Sequence, residues 1–394
     1  MNAALLSELF IDLDFRQERK AGQTACGDRF VSNRLPDGSG LALALSDGLG
    51  SGIKANILST MTAVMAVKFA ESDVEFPKAA DTMMRVLPTC SVRKIAYATF
   101  TIAIWRPDGP LRIVETGNPA PIYIRNGVEL KLDARIYSSD AWAGRSIKVS
   151  EAYPMPGDRL VFLSDGISQA GIGSEAHPYG WRREERIDFI IRTLSPRPTL
   201  SSRALSSMIL EKALSLEKGH LPHDDMTCAA LHFHSPRKLL LVAGPPFNKA
   251  KDAEWADSVN SFEGDKAVCG GSTSKILARQ LDLDLRMESG RFSDVPPAGN
   301  MDGLSIVTEG ILTLTRAAQI LEGRESMRPD DPASRLAILL RDHDAIEFLV
   351  GTKINEAHQD PSMPTEIELR RAVVKRIDAA LKERYLKTTS IKYV

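Results

Sequence analysis

Five aspartates carry the chemical interest of this sequence. Asp47 and Asp165 sit in two copies of one short pattern. Leu45-Ser46-Asp47-Gly48-Leu49 follows the apolar run Leu41 to Ala44, and Leu163-Ser164-Asp165-Gly166-Ile167 follows Leu160-Val161-Phe162. Each copy delivers a carboxylate at the end of a buried strand, and the glycine after it lets the backbone come close to a ligand or ion. Asp28, in Cys26-Gly27-Asp28-Arg29, and the pair Asp224-Asp225, just before the segment starting at Met226, sit in comparable settings. Carboxylates gathered from several strand ends are the donor set of hard divalent cations, Mg²⁺ or Mn²⁺. A pair of such ions lowers the pKa of a shared water and neutralises a phosphoryl group during in-line attack. The chemistry indicated is metal-assisted phosphoester hydrolysis.

The plainer alternative is that each aspartate caps a loop or makes a turn, since Asp-Gly is a common hairpin dipeptide. Two features count against it. The first copy runs into Gly50-Ser51-Gly52 and then a helical pattern, and the second enters a polar loop, so neither leads into a return strand. A cysteine-based phosphatase is excluded, because none of the four cysteines has an arginine six positions on. The histidines are read as surface or hydrogen-bonded groups: His232 and His234 alternate on a terminal strand, His223 precedes Asp224, and no His pair at helical ligand spacing joins a carboxylate.

Short apolar runs bounded by Gly, Pro, Asp and Asn place these groups on strands. The runs are Leu41 to Leu45, Ala98 to Ile104, Leu111 to Thr116, Pro121 to Arg125, Arg159 to Leu163 and Met226 to Phe233, and Asn126-Gly127 signals a hairpin. Ile53, Ile57, Met61, Val64, Met65, Lys68 and Phe69 recur at three and four, the period of an amphipathic helix. A second helix is expected over residues 73 to 87, ending before Pro88, and a third over 200 to 218. Met61, Met65, Met83 and Met84 read as core filler.

At Ser235-Pro236-Arg237-Lys238 the pattern changes to alternating strand and helix: strands at Leu239 to Ala243, Lys266 to Cys269 and Leu304 to Val307, helices at 250 to 262, Thr273 to Gln280 and Thr313 to Leu321. That alternation predicts a parallel α/β layer. The final segment, with Ile367, Val373, Val374, Ile377 and Leu381, has helical spacing. Two domains are therefore expected, 1–236 and 237–394, as the length of 394 residues also suggests. Val268 to Lys275 runs from strand through Gly270-Gly271 into a helix start; it fits neither phosphate-loop nor dinucleotide-loop spacing, and capping by Ser272 or Thr273 is the favoured reading over an anion site. Thr308-Glu309-Gly310 is another candidate rim.

Fifty basic against 51 acidic residues, with no long basic block, give no support for nucleic-acid or membrane-surface binding. No apolar run approaches the roughly 20 residues that cross a bilayer. With no secretory signal and no Cys-x-x-Cys among Cys26, Cys90, Cys228 and Cys269, a reducing cytoplasm is expected.

Residues 10 to 234 resemble the SpoIIE/RsbU-type branch of the PP2C (PPM) metal-dependent protein serine/threonine phosphatases. The markers, in family order, are Cys26-Gly27-Asp28; Ser46-Asp47-Gly48-Leu49-Gly50-Ser51-Gly52 with Ala55; Gly117-Asn118-Pro119-Ala120-Pro121; Pro156-Gly157-Asp158 leading to Ser164-Asp165-Gly166; and Asp224-Asp225-Met226-Thr227. The resemblance implies an α+β fold, an α-β-β-α sandwich of two antiparallel sheets flanked by helices, here followed by a smaller α/β domain. It implies two ions, Mn²⁺ or Mg²⁺. Asp47 would bridge them and the Gly48 carbonyl would bind one; Asp165 and Asp224, or Asp225 in its place, would hold the second; Asp28 would act through water. Asn118 replaces a common family histidine, read as a tolerated turn change. Eukaryotic relatives often use an arginine for the substrate phosphate; no equivalent is assigned, Arg29 and Lys54 being conjectures. The implied reaction is attack of a metal-activated water on phosphoserine or phosphothreonine, without a phosphoenzyme. The implied partner is a phosphorylated anti-sigma-factor antagonist or similar signalling protein, with a homodimer as a family-level option. The competing readings are a catalytically silent binding module and a hydrolase of small phosphoesters. No family is recognised for 237–394, whose regulatory or sensing role is inferred from domain arrangement.

Overall fold

A computed structural model of the protein describes residues 9–35, 40–72, 76–86, 98–107, 109–142, 144–288, 295–328, 330–352 and 366–394. The chain divides into two compact units, Met1–Ser235 and Pro236–Val394.

The first unit contains β1 (Phe10–Glu18), β2 (Asp28–Arg34), β3 (Leu41–Gly48), α1 (Gly52–Glu71), α2 (Phe76–Val86), β4 (Ala98–Trp105), β5 (Leu111–Thr116), β6 (Ile122–Arg125), β7 (Val128–Glu129), β8 (Ala134–Ser138), β9 (Ser146–Ala152), β10 (Arg159–Leu163), α3 (Asp165–Ser168), α4 (Arg183–Leu194), α5 (Ser202–Leu216) and β11 (Met226–His234). They form two antiparallel sheets, one in the order β1-β11-β10-β6-β7 and one in the order β2-β3-β4-β5-β9-β8. The inner faces meet through aromatic contacts: Phe15 of one sheet lies 4.8 Å from Phe30 of the other, and Trp105 meets Phe233 edge-on at 6.2 Å. Helices cover the outer faces, α1 against β2, β3 and β4, and α5 against β1 and β11. A strand covered on both faces has no reason to alternate, which is why Leu41 to Leu45 is apolar throughout and wholly buried. The Asn126-Gly127 turn forms as expected, with both residues at positive φ (51° and 77°) between paired Arg125 and Val128.

Helix α1 forms where its period predicts, but most of the expected apolar stripe faces outward; only Met65 and Phe69 of it are half-buried and pack against the core. Ile53 is 65% exposed, Ile57 53%, Met61 60% and Val64 41%. The buried face is made of small residues: Ala55, Ser59, Thr62, Ala63, Ala66 and Ala70, with Val67. Small side chains let the helix axis lie close to the sheet, and the period fixes the helix without saying which face the sheet selects. Met61 is therefore not core filler, whereas Met83 and Met84 are buried as expected. Of the expected second helix, 73–75 and 87 lie outside the described residues, as does Cys90; Cys26, Cys228 and Cys269 are free thiols. After Asp165 the chain makes the short helix α3 before its polar loop.

The second unit contains β12 (Lys238–Ala243), α6 (Asp252–Asn260), β13 (Asp265–Cys269), α7 (Gly271–Leu281), β14 (Arg286–Met287), β15 (Gly299–Asn300), β16 (Ile306–Thr308), α8 (Ile311–Leu321), α9 (Pro332–Asp342), β17 (Ala345–Val350), α10 (Glu366–Tyr385) and β18 (Thr388–Tyr393). Its sheet runs β14-β15-β16-β13-β12-β17-β18. The five strands from β16 to β18 are parallel, with the first strand in sequence at the centre, a doubly wound α/β order. Helix α7 starts at Gly271, so Ser272 and Thr273 lie inside its first turn instead of capping it. Gly270 takes the cap position at φ 134°, open only to glycine. Register pairs Cys269 with Thr308, so the two candidate rims lie side by side, with Glu309 over Gly271.

No helix among the described residues is long and apolar enough to cross a membrane.

Candidate metal centre

Asp28 opens β2 and Asp47 is the last residue but one of β3, and the antiparallel register sets them directly opposite each other. The other sheet contributes from two adjacent strand ends: Asp165 lies just past β10 and Asp224-Asp225 just before β11. The sheets are tied together here, because Thr227 Oγ1 of β11 donates to Asp28 Oδ2 at 2.7 Å. Gln17 of β1 completes the tie: its Nε2 donates to the Asp28 carbonyl and to Thr227 Oγ1, both at 3.0 Å.

The carboxyls are gathered more densely than their charges favour. Asp28 is 1% exposed, and its Oδ1 is buried without a hydrogen-bond partner. Burial pushes its pKa up to about 8; Thr227 and Ser164 oppose the rise, while the charges of Asp225 and Asp165 add to it. Burial likewise pushes Asp47 up to about 10, helped by the charges of Asp28 and Asp165, a hydrogen-bonding contact with Asp165 and the charge of Asp224. Asp224 is raised by burial and then by Asp165, although the Asp225 N–H donates to its Oδ1 at 3.0 Å and Lys20 lowers it. Buried like charges disfavour the ionised form unless a cation joins them.

Asp224 and Asp225 are neighbours with different surroundings. Asp224 is half-buried; its charge acts on Asp47, and that of Asp165 acts on it. Asp225 is 3% exposed; its Oδ1 accepts from the Lys20 N–H at 2.9 Å, and it faces Gly27, Cys26 and Asp28. The two Asp-Gly copies share one packing device. A Cβ on Gly48 would stand 2.2 Å from the Ala55 carbonyl oxygen, and one on Gly166 the same distance from that of Asp225. Neither glycine is at positive φ, so close backbone approach, not conformation, demands it. Asn118 bonds Thr99, Thr101 and the Leu45 carbonyl, pinning β3, β4 and the loop after β5 beside Asp47.

Among the described residues no three His, Cys, Asp or Glu side chains converge on one point as a metal ion's ligands. The donor set nonetheless fits a hard cation: oxygen donors from four strand ends, one buried carboxylate oxygen unsatisfied, and pKa values that a cation would bring down.

Sequence reasoning brought together Asp28, Asp47, Gly48, Asp165, Asp224 and Asp225, and the structure places all six at this end of the sandwich. It gave no role to Gln17, Ser164 or Thr227; Ser164 and Thr227 stand within the quoted markers, and Gln17 had no signal. Arg29 is exposed and, by strand alternation, projects opposite to Asp28; Lys54 is exposed on α1. Asp158 of the Pro156-Gly157-Asp158 marker is an anchor of the fold, bound by Tyr123, Arg125 and the Met155 N–H.

Two packed antiparallel sheets flanked by helices, with aspartates from both at one end, define a PP2C-type fold. Residues 37–234 match the family model for stage II sporulation protein E (SpoIIE), half of the chain, and the protein belongs to that family. Stage II sporulation protein E of Bacillus subtilis (strain 168) is 24% identical over 229 residues, 57% of this chain and 26% of that relative, so the chain spans about a quarter of its length. A structure of the PP2C phosphatase domain with a fragment of the regulatory domain of Bacillus subtilis SpoIIE is 21% identical, covering 57% of this chain and 64% of that one at a TM-score of 0.48. The catalytic domain of the serine/threonine phosphatase PstP, in complex with two manganese ions, is 16% identical, covering 57% of this chain and 99% of that one at a TM-score of 0.38.

Proposed function

We propose that the first unit is a metal-dependent protein serine/threonine phosphatase, and that the second regulates it or senses a ligand. The observation that carries the reading is the cluster of Asp28, Asp47, Asp165 and Asp224, drawn from both sheets, in which burial and the neighbouring carboxylates raise the pKa values of Asp28, Asp47 and Asp224. Two divalent cations, Mn²⁺ or Mg²⁺, held there would supply a water of lowered pKa and neutralise charge on the phosphoryl group. Asp47, opposite Asp28 in register and acted on by the charges of Asp28, Asp165 and Asp224, would serve both ions, and Asp165 and Asp224 would hold the second. Asp28, fixed by Thr227, offers its free Oδ1 to that shell or to its water. The substrate class is phosphoserine or phosphothreonine on a small signalling protein of the anti-sigma-factor-antagonist kind, and the membership of the SpoIIE family supports it.

The test is hydrolysis of para-nitrophenyl phosphate and of a phosphoserine peptide by the full chain with Mn²⁺, Mg²⁺ or EDTA. Turnover that needs the ion and falls at least 100-fold in Asp47→Asn is expected. Equal rates in EDTA, or full turnover by Asp47→Asn, would overturn the reading.

A further inference from the structure

Two helix starts in the second unit meet at one point of its sheet. β13 and β16 are parallel neighbours, and each runs through a glycine into a helix, Gly270 into α7 and Gly310 into α8. The helices leave to opposite faces. Leu277 of α7 packs with Val268 and Val307, whereas Leu314 and Ala317 of α8 pack with Ala267, Cys269 and Ile306, and successive residues of a strand face opposite sides. A crevice therefore opens outside the carboxyl ends of these two strands, the place where doubly wound sheets take ligands.

The floor of the crevice is backbone. Gly270 N–H donates to the Thr308 carbonyl at 2.9 Å, and a Cβ on Gly310 would stand 3.8 Å from Gly270 Cα, so the two cap residues touch. Neither helix has a side-chain cap, and the N–H groups of a first turn have no partner within the helix. Each terminus carries roughly half a positive charge, and such termini hold anions. A second observation points the same way. Thr273 and Thr313 occupy the third position of α7 and of α8, are 1% and 0% exposed, and bury hydroxyls that have no hydrogen-bond partner. Thr273 Oγ1 is aimed at the cap, 2.8 Å from where a Cβ on Gly270 would project. A ligand oxygen at the cap would supply the missing partner.

Glu309 decides what the rest of the ligand must be. Its carboxylate is half-buried, lies 3.0 Å from where a Cβ on Gly271 would project, and makes no hydrogen bond or ion pair among the described residues. Inorganic phosphate would meet that charge as a repulsion. A sugar phosphate separates the two demands, its phosphate oxygens accepting from the helix amides and its hydroxyls donating to Glu309.

We propose that this crevice binds a phosphorylated sugar, the chemistry shared by nucleotides and free sugar phosphates, with its phosphate on the first turns of α7 and α8 and its hydroxyls on Glu309. The inference rests on the ligand-sensing half of the proposed function and deepens it, by giving the second unit a site and a ligand class.

Calorimetry on the full chain in EDTA, which keeps divalent ions from the aspartates of the first unit, compares ribose 5-phosphate, AMP, ribose and inorganic phosphate. Wild type should bind the two phosphorylated riboses saturably, at least about tenfold more tightly than phosphate or ribose. A further gain from the base of AMP makes the ligand a nucleotide, and no gain makes it a free sugar phosphate. Ser272→Asp puts a carboxylate on the exposed first turn of α7, where it favours the helix and repels an anion. It should keep or raise the melting temperature while weakening both ligands at least about tenfold. Thr273→Val should weaken them without lowering the melting temperature, because the hydroxyl it removes has no partner. Glu309→Gln should tighten inorganic phosphate and narrow the preference for ribose 5-phosphate. Absence of saturable binding, affinities that Ser272→Asp and Thr273→Val leave unchanged, or inorganic phosphate bound as tightly as ribose 5-phosphate would each overturn the inference. The two readings separate. Mn²⁺-dependent phosphoserine turnover that responds alike to saturating ligand in wild type and Ser272→Asp sinks the sensing role and leaves the site, whereas turnover without any ligand binding sinks the site and leaves the phosphatase.

Discussion

Asp28 and Asp47 stand opposite each other on neighbouring antiparallel strands, both largely removed from water. Like charges in that relation repel, so without a cation the pair holds protons, with pKa values near 8 and 10 against 3.8 for the ordinary group. The folded state thus binds more protons than the unfolded one from about pH 4 up to those raised values, and stability falls as pH rises through that window. In EDTA the melting temperature is expected to drop steadily from pH 5.5 to 8.5. Mn²⁺ should flatten the slope, since the ion takes the place of the protons. Asp28→Asn should make the metal-free protein more stable at pH 8 than wild type, by at least about 1 kcal/mol. A melting temperature that is flat or rising with pH in EDTA would contradict this account.

Gly48 and Gly166 make the second prediction. An alanine methyl at either would stand 2.2 Å from a backbone carbonyl oxygen, of Ala55 in one case and Asp225 in the other, and neither backbone can move without displacing an element that carries the site. Gly48→Ala and Gly166→Ala should each cost about 3 kcal/mol, the upper range for overpacking, and weaken Mn²⁺ binding measured by calorimetry. The control is Gly127→Ala, which meets no atom within 4 Å but sits at φ 77°. It should cost only about 1 kcal/mol of turn strain and leave Mn²⁺ affinity alone.

Helix α1 tests how far the sequence could be read. Ile57 and Met61 lie on its exposed face, while Ala63 and Ala66 are buried against the sheet. Ile57→Glu should therefore change urea stability by no more than about 0.5 kcal/mol, whereas Ala63→Leu should cost about 1–3 kcal/mol. The reverse ranking would restore the face that the apolar stripe suggested. The strands around Asp47 and Asp165 were legible because each is a short apolar run cut off by Ser-Asp-Gly, and the parallel sheet of the second unit because strands and helices alternate. What period and composition do not encode is which surface a helix meets. For the same reason the bond from Thr227 to Asp28, 199 residues apart, was invisible, as were the different surroundings of Asp224 and Asp225. Each depends on how two sheets stack, and a single strand's residues do not state that.

Asp158 gives the last prediction, because it stands in a family marker that leads to Asp165 while its own contacts anchor the fold. Its side chain is buried and holds Tyr123 Oη at 2.7 Å, Arg125 Nη2 at 2.6 Å and Nε at 2.9 Å, and the Met155 N–H at 2.8 Å. Arg125 also donates to the Tyr153 carbonyl at 2.8 Å, so one carboxylate closes the loop before β10 onto β6. Removing it strands a guanidinium and a buried hydroxyl, and breaking one partner of such a pair costs roughly 3–5 kcal/mol. Asp158→Ala should lower the melting temperature by about 10 °C, at 2–4 °C per kcal/mol for a unit of this size. Because the carboxylate touches none of the five site aspartates, Mn²⁺ affinity of the protein that remains folded should match wild type. Lost Mn²⁺ binding at unchanged stability would reverse the assignment and make Asp158 part of the metal centre.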